Sequence, residues 1–388
     1  TLLYNVITKI TRLHRSASRQ MSRSAATLRN SGSWTFGSPS VLMMYYRAPG
    51  ELGKELAEMY ECMPHYYKIT NGHGRGAELL MDAEAAYLQG AWEKAAVLLE
   101  RARADAAGQE NMTLCCDFLA LRLALCGKGK EEYDFAAKRA ALLQKHDGVQ
   151  VHLLESIAAY FYALQGRPEQ APELFREHKL AEVSFFGPCR PMMSLIEQQV
   201  WLAQGEYVKV IAHSEGLLRR CEAMHYGLVG LQARIQLAAA QLRFGQRAEA
   251  RAALAAALLD AVQDDFWVLF VEQYPALAPL LEEEDWAVCE PRLGPFVARI
   301  LPAGRAFAAR LGLRAPAPEL PLTDRDRELA RLVAGRCTNK EIAAALYLSE
   351  GTVKQYINQL YAKLDMGGDP RTRRARLAEW YQKNAPRN

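Results

Sequence analysis

Apolar residues recur along the chain in helical runs that are separated by short breaks. Six segments share one arrangement, in which an apolar helical run, a glycine and a second helical run follow each other. The shared glycines are Gly50, Gly90, Gly127, Gly166, Gly205 and Gly245. Their spacings are 40, 37, 39, 39 and 40 residues. Glycine gives the backbone the freedom for a tight turn between antiparallel helices, so the pattern predicts repeated helical hairpins.

One such hairpin cannot bury its apolar face alone, and we expect neighbouring hairpins to stack into an α-solenoid. We place this solenoid at residues 40–312, with residues 267–312 as a final repeat or cap. The copies at Gly127 and Gly205 match the pattern least well. A stacked array of this kind is expected to expose a continuous concave face, where solenoids bind ligands or partner proteins.

The first thirty residues are basic, with six lysines and arginines and no acid. Leu2, Val6, Ile10 and Leu13 fall on one helical face. We interpret residues 1–39 as a helical segment at the end of a longer domain. The other interpretation that this composition allows is a transit peptide.

The pattern changes after the repeats. Pro316, Pro318 and Pro321 predict an extended linker over residues 313–322. Three shorter amphipathic helices should follow, the first of which begins at Thr323 and ends at Gly335.

The second and third of these helices carry clear start signals. Thr338 and Glu341 have the spacing of a capping box, and Ser349 stands where it would cap the third helix. Apolar residues of the third helix form a single stripe that should be buried. They are Val353, Ile357, Leu360 and Leu364. The short break between the two helices predicts a helix-turn-helix.

The outer side of the third helix should carry polar residues with no large apolar residue among them. Lys354, Gln355 and Asn358 on this side suit the base edges of a DNA major groove. Lys340 and the helix start at Asn339 suit phosphate groups. The alternative interpretation is the solvated face of a small helical bundle.

Charge supports a basic C-terminal region. The chain has a net charge of +4, while residues 323–388 alone carry +5 and residues 1–30 carry +6, which leaves −7 for the residues between them. We therefore expect any nucleic-acid contact at the C-terminal end.

Several other classes of protein are excluded. The eight cysteines do not have the spacing of a zinc site. The glycine-rich stretch "GHGRG" at 72–76 lacks the pattern of a phosphate-binding loop, and no other segment of the chain has that pattern. No apolar run is long enough to span a bilayer. We predict a cytoplasmic protein that is not an enzyme and has no cofactor in this chain.

The segment "LTDRDRELARLVAGRCTNKEIAAALYLSEGTVKQYINQLYAKL" resembles the LuxR-type helix-turn-helix domain of bacterial transcription regulators. The matching pieces are "LT-x-R-[DE]", "NKEIA", "LS-x-x-TVK" and the final "KL". The resemblance implies a domain over residues 318–383 and base reading by Lys354, Gln355 and Asn358. It also implies phosphate contacts, from Asn339, Lys340, Thr352 and Lys363.

The "GAWEKAAVLLERA" stretch at Gly90 resembles the tetratricopeptide repeat, although the period is longer than in that family. Helical repeats followed by this kind of domain are similar to the C-terminal half of MalT-like regulators. That resemblance implies an all-α transcription regulator whose repeat region senses an unknown small-molecule inducer or protein partner. It implies a homodimer on double-stranded DNA, with RNA polymerase as a further partner.

Two alternatives remain open at this point. The chain could be a repeat-based protein-interaction scaffold. It could also be the C-terminal part of an ATP-dependent signalling regulator, and ATP would then bind only to a nucleotide-binding domain that these residues lack.

Overall fold

The computed structural model of the protein describes residues 37–69, 72–129, 132–145, 148–183, 185, 187–313, 324–346, 348–364 and 370–384. The predicted N-terminal segment before residue 37 and the predicted linker beyond Leu313 lie outside the described residues. The described part contains nineteen α-helices and no β-strand, which confirms the predicted all-α class. Most of the chain up to Pro316 forms one compact unit, and the chain from Ala317 onward forms another.

The first unit, called the repeat unit below, contains helices α1 to α15. Their bounds are α1 Val41–Tyr45, α2 Leu52–Ile69, α3 Ala77–Leu88, α4 Trp92–Asp105, α5 Glu110–Leu125, α6 Phe135–Gln144, α7 Gly148–Leu164, α8 Glu173–Arg176, α9 Arg190–Gln204, α10 Tyr207–Met224, α11 Gly227–Phe244, α12 Arg247–Ala261, α13 Val268–Glu272, α14 Tyr274–Glu283 and α15 Leu293–Arg310. The second unit, called the C-terminal unit, contains α16 Asp324–Ala334, α17 Asn339–Leu346, α18 Glu350–Lys363 and α19 Pro370–Asn384.

All six repeat glycines adopt the left-handed backbone conformation that a tight turn requires. Their φ angles lie between 66° at Gly166 and 84° at Gly245. Each glycine lies between two successive helical runs, as the sequence pattern predicts. A residue with a side chain would be strained at such an angle, so the hairpin turns favour glycine at these six positions.

Two hairpins differ from what their sequences predict about which repeats form two full helices. The copy at Gly205, weak in sequence, forms two full helices, α9 and α10. The copy at Gly166 has a full first helix, but its second helix is reduced to a 3₁₀ turn at Pro168–Gln170 and the four-residue α8. Pro168 and Pro172 explain the loss, because neither has a backbone N–H for a helical hydrogen bond.

The first and second helices of a hairpin are buried to different degrees. In the hairpin at Gly90, the first helix α3 buries 10 of its 12 residues, whereas the second helix α4 buries only 4 of 14. A helix that is buried nearly all round must be covered on both sides. Part of that cover comes from a distant segment of the chain.

That distant segment is residues 264–273, which we call the inner segment. The Asp264 carboxylate accepts hydrogen bonds from the Tyr46 hydroxyl and the Gly50 backbone N–H, both at 2.5 Å. The Trp267 indole N–H donates to the Gln89 carbonyl oxygen at 2.8 Å. One short segment thus contacts the start of the array and its next hairpin.

Glu272 extends these contacts deeper into the array. Its carboxylate accepts hydrogen bonds from Arg122 Nε at 2.8 Å, Tyr87 Oη at 2.6 Å and Tyr160 Oη at 3.1 Å. The Arg122 and Glu272 side chains are only 3% and 2% exposed. The next residue, Gln273, donates to the Gln199 side chain at 2.6 Å. The inner segment therefore contacts the first helices of four successive hairpins, α3, α5, α7 and α9. The expectation of a continuous concave face stays a prediction.

The C-terminal unit has a core of its own. Leu329 of α16, Ile342 of α17, Val353 and Leu360 of α18 and Leu377 of α19 are buried together. No helix in the described part of the chain combines the length and the apolar character that a membrane crossing needs.

Candidate nucleic-acid interface

The turn between α16 and α17 is fixed by backbone hydrogen bonds. The Cys337 N–H donates to the Leu332 carbonyl at 3.1 Å, and the Arg336 N–H donates to the Val333 carbonyl at 3.0 Å. The left-handed residue is Arg336, with φ 62°, rather than the adjacent Gly335. This pair of bonds is the Schellman arrangement that ends many helices.

Helix α17 begins with the predicted capping box. The Glu341 carboxylate accepts from the Thr338 backbone N–H at 2.6 Å, and the Thr338 hydroxyl accepts from the Glu341 N–H at 3.3 Å. The hydrogen bond from the Thr338 backbone lowers the pKa of Glu341. The box leaves the adjacent exposed Lys340 in the first turn of the helix.

Helix α18 begins at the predicted cap, because the Thr352 N–H donates to the Ser349 hydroxyl oxygen at 3.1 Å. The Thr352 hydroxyl also lies 2.8 Å from the Ser349 hydroxyl. Thr352 is half-buried, and its hydroxyl contacts the hydroxyl of the capping residue Ser349.

The two faces of α18 are sharply different. Val353, Ile357 and Leu360 are buried, with exposed fractions of 0%, 4% and 0%. Lys354, Gln355 and Asn358 are exposed. Because positions three and four apart are neighbours on a helix, Asn358 lies beside both Lys354 and Gln355, and the three side chains form one surface of donors and acceptors opposite the core. We call this surface the outer face of α18.

Asn339, a predicted phosphate contact, already has a partner. Its side-chain oxygen accepts from Arg374 Nη1 of α19 at 2.9 Å, and Arg374 Nη2 donates to the Cys337 carbonyl oxygen. The predicted contact residue Lys363 lies in the last turn of α18. No metal-binding group of three His, Cys, Asp or Glu residues occurs in the part of the chain that the structure describes.

Sequence reasoning missed Arg374. It links the fourth helix to the start of α17 across 35 residues, and no local spacing rule shows such a pair. The one available signal was the run of arginines at 371, 373, 374 and 376. Arg374 therefore positions the start of α17, where a helix terminus can meet an anion.

Comparisons with known proteins concern this unit. Residues 320–372 match the luxR family of bacterial regulatory proteins. The chain is 41% identical over 75 residues to the uncharacterized transcriptional regulatory protein YvfU of Bacillus subtilis, and this stretch covers 19% of the chain and 36% of YvfU.

Two further relatives match over a similar length. The DNA-binding transcriptional activator DevR/DosR of Mycobacterium tuberculosis is 42% identical over 65 residues, which cover 17% of the chain and 29% of that protein. The transcriptional regulatory protein YhcZ of Bacillus subtilis, also uncharacterized, is 43% identical over 63 residues, which cover 16% of the chain and 28% of YhcZ.

The chain therefore spans about a third of the length of the curated relatives that it matches. No solved structure matches the chain significantly. The residues that match the family include both capped helices, α17 and α18, and the unit that contains them has a core of its own. The C-terminal unit contains a helix-turn-helix domain of the luxR family.

Proposed function

We propose that the protein is a bacterial DNA-binding transcription regulator that inserts α18 into the major groove. The observation that carries the proposal is the polar outer face of α18, which lies opposite a buried stripe within a luxR-family domain. A helix with this division can pack on its own domain and still offer hydrogen bonds to base edges. The relatives, which are named as transcriptional regulators, support the same function.

The proposal assigns two kinds of contact to the predicted residues. Lys354 can donate to guanine N7 or O6, and the amides of Gln355 and Asn358 can pair with adenine. Lys340, Thr352 and Lys363 would contact phosphates, together with the helix start at Asn339. Asn339 keeps its side-chain NH₂ for such a contact, since only its oxygen is bonded to Arg374.

We further propose that the repeat unit senses a small molecule or a protein partner, in the MalT-like manner. The inner segment supports this, because it joins the four helices α3, α5, α7 and α9 through a few contacts that a bound molecule could shift. A signal must favour one conformation over another to change DNA binding. The regulator would act in the cytoplasm as a homodimer with RNA polymerase, without catalysing a reaction.

The test is binding of the full chain to duplexes selected from a random pool, followed by fluorescence anisotropy at several salt concentrations. The two cationic phosphate contacts per copy, Lys340 and Lys363, predict that log affinity falls with log salt at a slope of about −1.8 for one copy and about −3.6 for two. An affinity that does not change with salt would contradict DNA binding by this unit.

A further inference from the structure

A cavity of about 620 Å³ lies in the repeat unit, between the hairpin turns at Gly90 and Gly127, the inner segment and the last turns of α15. Its apolar walls include Trp92, Trp267, Val271 and Phe307. The Trp92 and Trp267 rings meet edge to face, with centroids 5.9 Å apart. Ligand pockets commonly have volumes of roughly 300–1,000 Å³ and are lined mainly by apolar and aromatic side chains, with few polar groups.

The repeat glycines create the space for two of the cavity walls. A β-carbon on Gly90 would lie 2.1 Å from the Trp267 ring, and one on Gly127 would lie 2.0 Å from the Arg310 guanidinium. Both side chains can lie against the hairpin turns only because those turns have no side chain. The cavity is therefore built by the repeat pattern and the final helix together.

The charge of the cavity has one sign. Lys128 and Arg310 are exposed side chains at its edge, and no Asp or Glu occurs among the described residues that line it. Burial raises the pKa of Cys126, another lining residue, to about 12, so this thiol is neutral at pH 7. An apolar pocket with the exposed Lys128 ammonium at its edge is complementary to a molecule with an apolar body and one negative charge.

We propose that this cavity binds an organic monoanion with a bulky apolar body, such as an acyl or aromatic carboxylate. The apolar body would lie between the two tryptophans and Phe307, and the carboxylate would face Lys128. The inference deepens the proposed sensing role and rests on it only in treating the bound molecule as the signal. Helix α15 carries the cavity wall and is the last helix before residues 314–323.

The first arm of the test is isothermal titration calorimetry of the full chain with octanoate, decanoate and dodecanoate. Each added methylene that becomes buried should tighten binding about threefold to fourfold. Dodecanol should bind about twofold to fivefold more weakly than dodecanoate, because an exposed ion pair contributes up to about fivefold. Dodecylammonium should bind more weakly still, because its charge is repelled by the cation at the edge. 2-Naphthylacetate then distinguishes an aromatic preference from an acyl one.

The second arm uses variants with matched controls. Ala306 is an exposed residue of the cavity wall, so Ala306→Trp should fill the cavity and weaken dodecanoate binding at least about tenfold. Ala298→Trp, at an exposed position of the same helix away from the cavity, should leave binding unchanged. Lys128→Gln should weaken binding about twofold to fivefold, and Lys68→Gln should not.

Equal binding of dodecanoate to the Ala306→Trp and Ala298→Trp variants would overturn the proposal, and so would equal binding of the acid and the alcohol. DNA affinity is measured separately, with and without saturating dodecanoate. If dodecanoate binds as predicted but DNA affinity does not change, the cavity assignment holds and the sensing part of the proposed function fails.

Discussion

The two units differ in how far along the chain their polar contacts reach. In the repeat unit, Glu272 bonds to Arg122 and Tyr87, which precede it by 150 and 185 residues. In the C-terminal unit, the caps at Thr338 and Ser349 join residues three positions apart. The helix-turn-helix is thus defined largely by local contacts, whereas the interior of the repeat unit depends on pairings between distant parts of the chain.

The largest expected effect comes from breaking the buried ion pair. Arg122→Met leaves the Glu272 carboxylate buried without its cation and should lower the free energy of unfolding of the repeat unit by about 3–5 kcal/mol. Urea unfolding followed by tryptophan fluorescence measures the loss. The double variant Arg122→Met/Glu272→Met should recover most of it, because no charge remains buried.

The control for this prediction is the half-exposed pair Arg234 and Asp260, whose side chains are 32% and 31% exposed. Arg234→Met should destabilise by less than about 1 kcal/mol. A similar loss in both arginine variants would mean that the contacts of the inner segment do not hold the repeat unit together.

A second comparison separates the turn role of a repeat glycine from its packing role. Gly90 and Gly108 both have positive φ, at 74° and 81°, but only Gly90 has a close neighbour, since no atom lies within 4 Å of a β-carbon on Gly108. Gly108→Ala should cost about 1–2 kcal/mol from backbone strain. Gly90→Ala should cost about 1–3 kcal/mol more, because Trp267 must move. If thermal unfolding shows equal losses of stability in the two variants, the packing of Trp267 does not depend on glycine at position 90.

The third prediction concerns pH. Glu84 accepts a hydrogen bond from the Leu42 N–H at 2.7 Å, and burial raises its pKa to about 7, above the usual value of about 4.3. Between these values the folded state binds more protons than the unfolded state, so stability falls as pH rises from about 4.5 to 7. Burial raises the pKa of Glu55 and Glu197 in the same direction, also to about 7.

Glu84→Gln removes one of these three groups. The fall in the free energy of unfolding of the repeat unit between pH 5 and pH 8 should shrink by up to about 3 kcal/mol in this variant. Denaturant unfolding at the two pH values provides the measurement. An unchanged fall in the variant would show that Glu84 is already ionised in the folded state at pH 5.

The smallest expected effect is in the C-terminal unit. Thr338→Ala removes the hydroxyl that accepts from the Glu341 N–H and should cost about 1 kcal/mol, while Thr338→Ser keeps the cap and should cost much less. Unfolding of this unit can be followed through Trp380. Equal losses in the two variants would show that the hydroxyl does not stabilise α17.

These contrasts explain what could be predicted from the sequence. The hairpin turns, the two caps and the buried stripe of α18 follow from spacings of a few residues, and these predictions are confirmed. The inner segment and Arg374 were not foreseen, because they pair residues that are far apart in sequence. The domain bounds and the DNA-contacting roles of the site residues stay predictions.

The most direct test of the central claim compares specific and random DNA binding by variants of the full chain. Lys354→Ala, Gln355→Ala and Asn358→Ala should each lose about 1–3 kcal/mol of discrimination at one or two base pairs. Lys340→Ala should weaken binding to both kinds of DNA alike and reduce the salt slope by about 1. If the three variants of the outer face of α18 instead weaken specific and random binding equally, this face does not read sequence.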